Sequence, residues 1–429
     1  MRCMQNHTND VSPCRTDLRH LDVYTIDPPG CTDADDGFSV IEKDGSTVIA
    51  LHYADPTHII SPKSTISKKV QTRYSIFEKT KPMLTCNISE RVSLKSNKKE
   101  TRHAITLQLT LAKDTHMPIN PPEILFTVVT ISPRNSFTYH RAGSILQGSN
   151  TCNRLTLQRF RVVQRFATAL MNAREATHWR TLSRVCASRR GIVSLKAPSQ
   201  EETYMRKIVG ELSIYANKQV ANILSTTLGN DAIYRSTVGD YVLRNTPNEN
   251  MNNEVYTHFT SPMRRWVDCV THFLLKSIFH HPAHNSSSFS RSDLQSFIDN
   301  SNKMAKTIKE TAIQENKLAL NLYIYQLTIK GMIVCIDYVI SNVVPTETEI
   351  RVRRIDDHEV RFDYSIPHTI NMKPNPHKVF RALVSSIDLN TGKMPDLDKY
   401  ILGEKRENTF KMPQSHERNV VSSNPEIAQ

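Results

Sequence analysis

The thirteen residues Thr25-Ile26-Asp27-Pro28-Pro29-Gly30-Cys31-Thr32-Asp33-Ala34-Asp35-Asp36-Gly37 restrict this chain more than any other stretch. Four carboxylates fall within ten residues, in the order Asp-x5-Asp-x-Asp-Asp, between two apolar runs. Anions packed so closely repel one another and raise each other's pKa unless a cation lies among them. Oxygen ligands on a loop suit a hard divalent ion such as Mg²⁺. Pro28, Pro29 and Gly30 break regular structure, so the spacing predicts a loop after a short strand, Val23 to Ile26. A plainer reading, an Asp-rich turn of solvated caps, stands beside it. A calcium EF-hand loop is excluded by pattern, because Gly37 stands where Asp or Asn is needed and Asp44 where the closing Glu belongs.

A second stretch lies far along the chain: Tyr256-Thr257-His258-Phe259-Thr260-Ser261-Pro262-Met263-Arg264-Arg265-Trp266-Val267-Asp268, followed by His272. Together the two resemble the hallmark motifs of the ribonuclease II/R family, T-I-D-P-x4-D-x-D-D and Y-x-H-F-T-S-P-I-R-R-Y-x-D. That family's catalytic region is the RNB domain. The resemblance runs from Asp22 to Tyr323.

Composition narrows the partner. The formal charge of +13 over 429 residues points to a polyanion, nucleic acid before membrane. Eight cysteines without a C-x-x-C pair supply neither a zinc site nor a disulfide framework, and a reducing interior, the cytoplasm, is the expected home. The first twenty residues have no apolar core and no run reaches eighteen apolar residues, so neither secretion nor a membrane span is expected.

Residues 1–21 read as a short polar leader with little structure. They leave no room for the cold-shock barrels that precede the catalytic region in many RNB proteins. Phe38 to Ile41 and Thr47 to Tyr53 alternate as paired strands turned at Lys43-Asp44-Gly45, and Leu51-His52-Tyr53-Ala54-Asp55 resembles the family's V-H-I-A-D. Asp55 is read as either a carboxylate supporting the acidic loop or a strand-end turn residue. Lys63 to Arg102 carries eleven Lys/Arg against three acids, with Tyr74, or alternatively Phe77, as an aromatic clamp for a base. A solvated basic face is the alternative.

Ile105 to Leu111 and Ile124 to Ile131 read as strands leading to Tyr139, which by resemblance contacts the 3′-terminal nucleotide. Leu155, Phe160, Val163, Phe166 and Leu170 form a helical core stripe within 153–180. Glu211, in a helix resembling V-E-E-x-M-x-x-A-N, is read as serving an active-site network or as a surface carboxylate. The intervals from Gly191 to Glu211 and from Asn217 to Tyr256 are shorter than the family norm. Ser261-Pro262 is expected to start a helix whose free N–H groups face an anion, beside Arg264 and Arg265, with Arg265 and Asp268 as a pair. His258 and His272 read as packing or hydrogen-bonding residues, 280–292 as a solvated loop with adventitious metal binding as the alternative, and 293–323 as a polar helix.

The fold class expected is α+β: an RNB-type catalytic domain over 22–323, a mixed sheet with packed helices, then a small OB-type β-barrel over 324–403 and an unstructured tail over 404–429. The resemblance implies a monomeric Mg²⁺-dependent 3′→5′ exoribonuclease acting on single-stranded RNA. It assigns Asp27, Asp33, Asp35 and Asp36 to metal, with Asp35 also catalytic beside Arg264, Tyr139 and Glu211. RNA falls to Tyr74, Tyr139, Arg264 and Arg265. The alternative class is a catalytically retired RNB-fold RNA-binding regulator.

Overall fold

A computed structural model of the chain describes residues 15–43, 45–62, 64, 74–76, 79–95, 100–174, 184–187, 193–196, 198–280, 289–330, 333–343, 349–355, 363–367, 380–384, 401–404 and 420–422. Those residues fall into two compact units, one within 1–74, 81–179 and 199–308, the other within 75–80, 180–198 and 309–429.

The first unit is built on a five-stranded mixed sheet. Its strands are β1 (Thr16–Asp17), β3 (Asp36–Lys43), β4 (Ser46–Ala54), β7 (Thr101–Leu111) and β8 (Glu123–Thr130), ordered β1-β8-β7-β4-β3. β1 runs parallel to β8 and the other pairs are antiparallel. The β3–β4 hairpin and the β7–β8 pair form where alternating, β-branched runs expect them. The sheet already begins inside the stretch read as a leader with little structure, where β1 is two residues long. A separate two-stranded parallel ribbon joins β2 (Thr25–Asp27) to β9 (Ser136–Thr138).

Among the described residues six α-helices accompany the strands: α1 (Cys86–Val92), α2 (Tyr139–Leu146), α3 (Arg154–Ala173), α4 (Gln200–Leu228), α5 (Trp266–His280) and α6 (Arg291–Thr328), the last beginning in the first unit and ending in the second. Side-chain caps fix three of their starts. Thr138, Asn153 and Ser199 accept from the N–H groups of Arg141, Thr156 and Glu202, each worth about 1 kcal/mol. On α3, Phe160, Val163, Phe166 and Ala167 are buried. The Phe160 ring meets those of Tyr24, Phe38 and Phe137 at centroid distances of 5.7, 6.0 and 5.1 Å, and its loss to Ala should cost about 3–5 kcal/mol. Leu155 departs from the expected core stripe. It is 48% exposed, because at 100° per residue it lies some 140° from Phe160.

In the second unit the described residues are strands of which only the backbone is described, apart from α6. Two hairpins, β5–β6 (Tyr74–Ile76, Lys79–Lys81) and β10–β11 (Arg184–Ala187, Val193–Lys196), are short. β5 begins at Tyr74, in the first unit. In the first unit a third pair, β12–β13 (Tyr234–Arg235, Tyr241–Val242), lies between α4 and α5. The C-terminal sheet is six-stranded: β16 (Asp363–Pro367), β15 (Glu349–Ile355), β14 (Ile333–Val343), β17 (Phe380–Val384) and β18 (Ile401–Glu404) in order, with β19 (Val420–Ser422) parallel to β14. Among the described residues no strand pair closes this sheet into a barrel. β19 falls within the stretch read as an unstructured tail. The loop expected at 280–292 lies mostly outside the described residues, with His280 closing α5 and Arg291 and Ser292 opening α6.

Candidate active site

The acidic loop is shaped by its own punctuation. Cys31 N–H returns to the Pro28 carbonyl at 3.2 Å with Gly30 at φ +74°, a type II arrangement that needs glycine at its third position. Gly37 has a different reason. A Cβ there would lie 2.9 Å from the Tyr24 carbonyl, and that close approach lets Tyr24 and Phe38 exchange backbone hydrogen bonds of 2.8 and 2.9 Å. The neighbours pin the loop further, since the Ala34 and Asp35 carbonyls accept from the N–H groups of Leu94 and Ala54.

Between β2 and β9 the register sets Asp27 opposite Thr138, so Tyr139, the next residue, arrives beside the carboxylates. Its hydroxyl pKa is pushed up by burial first and then by Asp36 and Asp27. The Arg206 guanidinium lies 4.4 Å from the centre of its ring.

The Arg264 segment meets the same loop. Met263 N–H donates to Asp35 Oδ1 at 2.8 Å, and Arg264 Nε stands 3.6 Å from Asp35 Oδ2. Arg264 also donates to Ser261 Oγ at 3.1 Å and leaves 45% of its side chain exposed. The expected helix start is corrected here. α5 begins at Trp266, and Ser261 to Arg265 form a turn in which the Ser261 carbonyl accepts from Arg264 and Arg265. Ser261 N–H is taken by Asp268 and Met263 N–H by Asp35, so the backbone donors read as facing an outside anion already hold two carboxylates of the chain.

Arg265 takes the pairing expected of it with Asp268. Its Nε and Nη2 both donate to Asp268 at 2.9 Å, and the Asp268 carboxylate is fully buried. Two successive arginines thus face opposite ways. Behind them, Asn217 of α4 accepts from Phe259 N–H at 2.8 Å and donates to Tyr256 Oη at 2.9 Å. His272 Nε2 bonds the Phe259 carbonyl and His258 Nδ1 the Tyr241 hydroxyl, so both histidines take the hydrogen-bonding places expected of them.

Glu211 is buried, which removes its surface reading, and pairs with Arg174 at the end of α3. Asp55 is also buried and meets Arg15, Lys276 and Thr57. The side chains of Tyr74 and Phe77 lie outside the described residues. Sequence reasoning missed Asn217 and Arg206 as builders of the site. Asn217 closes the motif in α4, but nothing in one sequence says that an Asn on a helix caps a loop 42 residues later.

Burial and mutual repulsion act together on the acids. Asp27, Asp35 and Asp36 are each pushed up to about 7, by burial first, then by neighbouring aspartates; for Asp35 the Arg264 charge and Met263 N–H pull the other way. Cys31 Sγ lies 3.6 Å from both Asp27 Oδ1 and Asp33 Oδ1. The donor set, oxygen-rich and largely buried, fits a hard divalent cation in kind. Among the described residues no three such side chains already stand as a ligand set, so a bound ion would have to draw them in.

Comparison with known proteins agrees with this geometry. The model of the RNB domain matches residues 15–240 and 237–281, more than half of the chain. Ribonuclease R of Chlamydia trachomatis is 23% identical over 342 residues, 63% of this chain and 47% of that protein. The chain spans about half the length of the curated ribonuclease R proteins it matches. Among solved structures, an active-site mutant of the Dss1 exoribonuclease from Candida glabrata is similar with a TM-score of 0.74 at 18% identity, covering 89% of this chain and 55% of that one. Mycoplasma genitalium RNase R gives 0.72 at 17%, covering 90% and 71%. Yeast Ssd1, a pseudonuclease, gives 0.62 at 15%, covering 90% and 55%. Among the described residues no helix is long and apolar enough to cross a membrane. With both motifs meeting in one place and the family model spanning them, this chain is a member of the RNB domain family.

Proposed function

We propose that the chain is a Mg²⁺-dependent 3′→5′ exoribonuclease that hydrolyses single-stranded RNA to nucleoside 5′-monophosphates. The observation that carries this reading is the meeting of Asp35 with Met263 and Arg264, 228 and 229 positions later in the chain. Asp27, Asp33, Asp35 and Asp36 would hold the ion. When bound it would ease deprotonation of water and neutralise charge gathering on the phosphate. Asp35 has Oδ1 occupied by Met263 N–H, which leaves Oδ2 to orient the attacking water and take its proton. The water oxygen bonds to phosphorus, the bond to the 3′-oxygen breaks, and that oxygen takes a proton from solvent.

Arg264, partly exposed beside Asp35, grips the phosphate and stabilises its developing charge. Tyr139 holds the terminal nucleotide, with Arg206 fixing its ring. Glu211 acts at one remove, anchoring Arg174. Tyr74 and an OB-type barrel formed by the C-terminal strands would hold the strand further away. A monomer working in the cytoplasm fits this reading, and the described cysteines, Cys31, Cys86, Cys152 and Cys269, are free thiols.

The second reading, an RNA-binding regulator without catalysis, is favoured by the likeness to the pseudonuclease Ssd1. Against it, all four aspartates and Arg264 are retained, and clustered carboxylates would only repel RNA. The test is release of mononucleotides from 3′-labelled single-stranded RNA with Mg²⁺ or with EDTA. The wild type should release them only with Mg²⁺, and Asp35→Asn should bind RNA but release none. Equal turnover by Asp35→Asn removes this mechanism, and a wild type that binds without turnover establishes the regulator.

A further inference from the structure

From Ile124 to Arg174 the chain contains seven arginines, no lysine and no acidic residue, and so carries seven of its thirteen net positive charges. Some of these arginines have internal work. Arg159 pairs with Asp22 at 2.6 Å, Arg174 with Glu211, and Arg141 packs over the Phe137 ring. Arg154, Arg161 and Arg165 do not. All three are exposed on α3, and among the described residues no ion pair reaches them, the pairs of this region being taken by Arg159 and Arg174. At 100° per residue they fall within about 40° of one another around the helix, opposite the buried Phe160, Val163 and Phe166. Gln158, on the same line, donates to Glu42 at 2.8 Å and so occupies a nearby carboxylate.

Helix stability does not account for this face. An ordinary solvated face alternates signs and gains from i,i+4 pairs, whereas these cations only repel. Arg154 also sits in the first helical turn, against the positive end of the helix, with no acid in that turn to offset it. The exclusive use of arginine suits paired contacts to phosphate oxygens. α3 is moreover held by Arg159 to Asp22 and Tyr24, just ahead of β2, the strand that delivers Asp27.

We propose that the outer face of α3, through Arg154, Arg161 and Arg165, docks the phosphodiester backbone of RNA that lies 5′ of the segment held at the carboxylate loop. This rests on the exoribonuclease reading for its direction, but its test is independent of turnover. In EDTA, fluorescent oligouridylates of about 6 and about 30 nucleotides are titrated against the full chain and its R154A/R161A/R165A variant as salt is varied. The variant should bind the longer RNA about tenfold more weakly and lose about 2 from its salt slope, three contacts at roughly 0.7 each. Binding of the shorter RNA and thermal unfolding should not change, and a triple Arg→Lys variant should keep most of the slope.

Unchanged affinity and slope for the longer RNA overturn the proposal. So does equal weakening for the shorter one, which would move these arginines into the catalytic groove. Polyglutamate that binds the wild type as tightly as the longer RNA, and loses this in the variant, would make the face a dock for an acidic protein instead. A chain that turns over no RNA can still pass this test, and an active one can fail it.

Discussion

Two buried clusters in the first unit contain the same kind of acid and opposite electrostatics. At Asp55, Arg15 Nη2 lies at 2.5 Å and Lys276 Nζ at 2.9 Å from Oδ2, while Thr57 donates to Oδ1 at 2.5 Å. Burial alone would push the Asp55 pKa up, but Lys276, His272 and Arg15 outweigh it and hold the carboxyl well below its usual range. Lys276 is itself pushed down, by burial first, against the pull of Asp55, because Arg15 shares the same carboxylate. At the acidic loop Asp27, Asp35 and Asp36 lie within reach of one another's charge, Arg264 meets Asp35, and all three rise to about 7. Asp55 and Asp35 are both buried; what differs is the balance of charge around them. A carboxyl held low by its cations braces the fold, and a group of acids pushed up together is the place the proposed ion would neutralise.

Five measurements would break or sharpen that contrast. The largest effect is expected from Asp55→Ala, which strands Arg15 and Lys276 in the interior and should lower the unfolding free energy in urea by about 3–5 kcal/mol. Unchanged stability would mean the cluster is not a brace. Next come the adjacent arginines. Arg264→Ala should cut mononucleotide release on the order of a hundredfold with little change in the unfolding midpoint. Arg265→Ala, by leaving the buried Asp268 unpaired, should cost about 3 kcal/mol of stability.

Asp35→Asn should raise the stability of the metal-free protein at pH 8 by roughly 1 kcal/mol, since Asn keeps the acceptor for Met263 N–H and drops a buried charge. A loss of stability would place Asp35 with Asp55 among the braces. The smallest effect concerns pH. Folded-state values raised to about 7 mean that the stability these acids contribute below about 4 is lost as pH rises toward 7. His52 acts in the other direction, since burial lowers it to about 3 and stability falls as pH drops from 6.5 toward that value. The difference in melting temperature with Mg²⁺ and with EDTA removes the His52 contribution. That difference should widen by a few degrees from pH 5 to pH 8, and an equal difference at both would count against a carboxylate ion site.

Legibility followed the range of the forces involved. The β3–β4 hairpin, the β7–β8 pair and the helices α3, α4 and α6 were readable because alternation and caps act within a few residues. The start of α5 was misplaced because Ser261-Pro262 is a good local signal, whereas Asp35 and Asp268 claim its backbone donors through space. Leu155 was misread because apolar character alone does not fix a helix angle. Glu211 and Asp55 each had two readings, and only burial chose between them.

By itself the sequence determined which family the chain belongs to, because a clustered set of acids and a distant Ser-Pro-Met-Arg-Arg run are too specific in order and spacing to need coordinates. Tertiary structure alone decided what they meet: Arg264 with Asp35, Arg265 with Asp268, and Asp55 with Arg15 and Lys276. The physical reason is that the energy of a charge depends on what surrounds it in space, and those surroundings come from segments more than 200 positions apart.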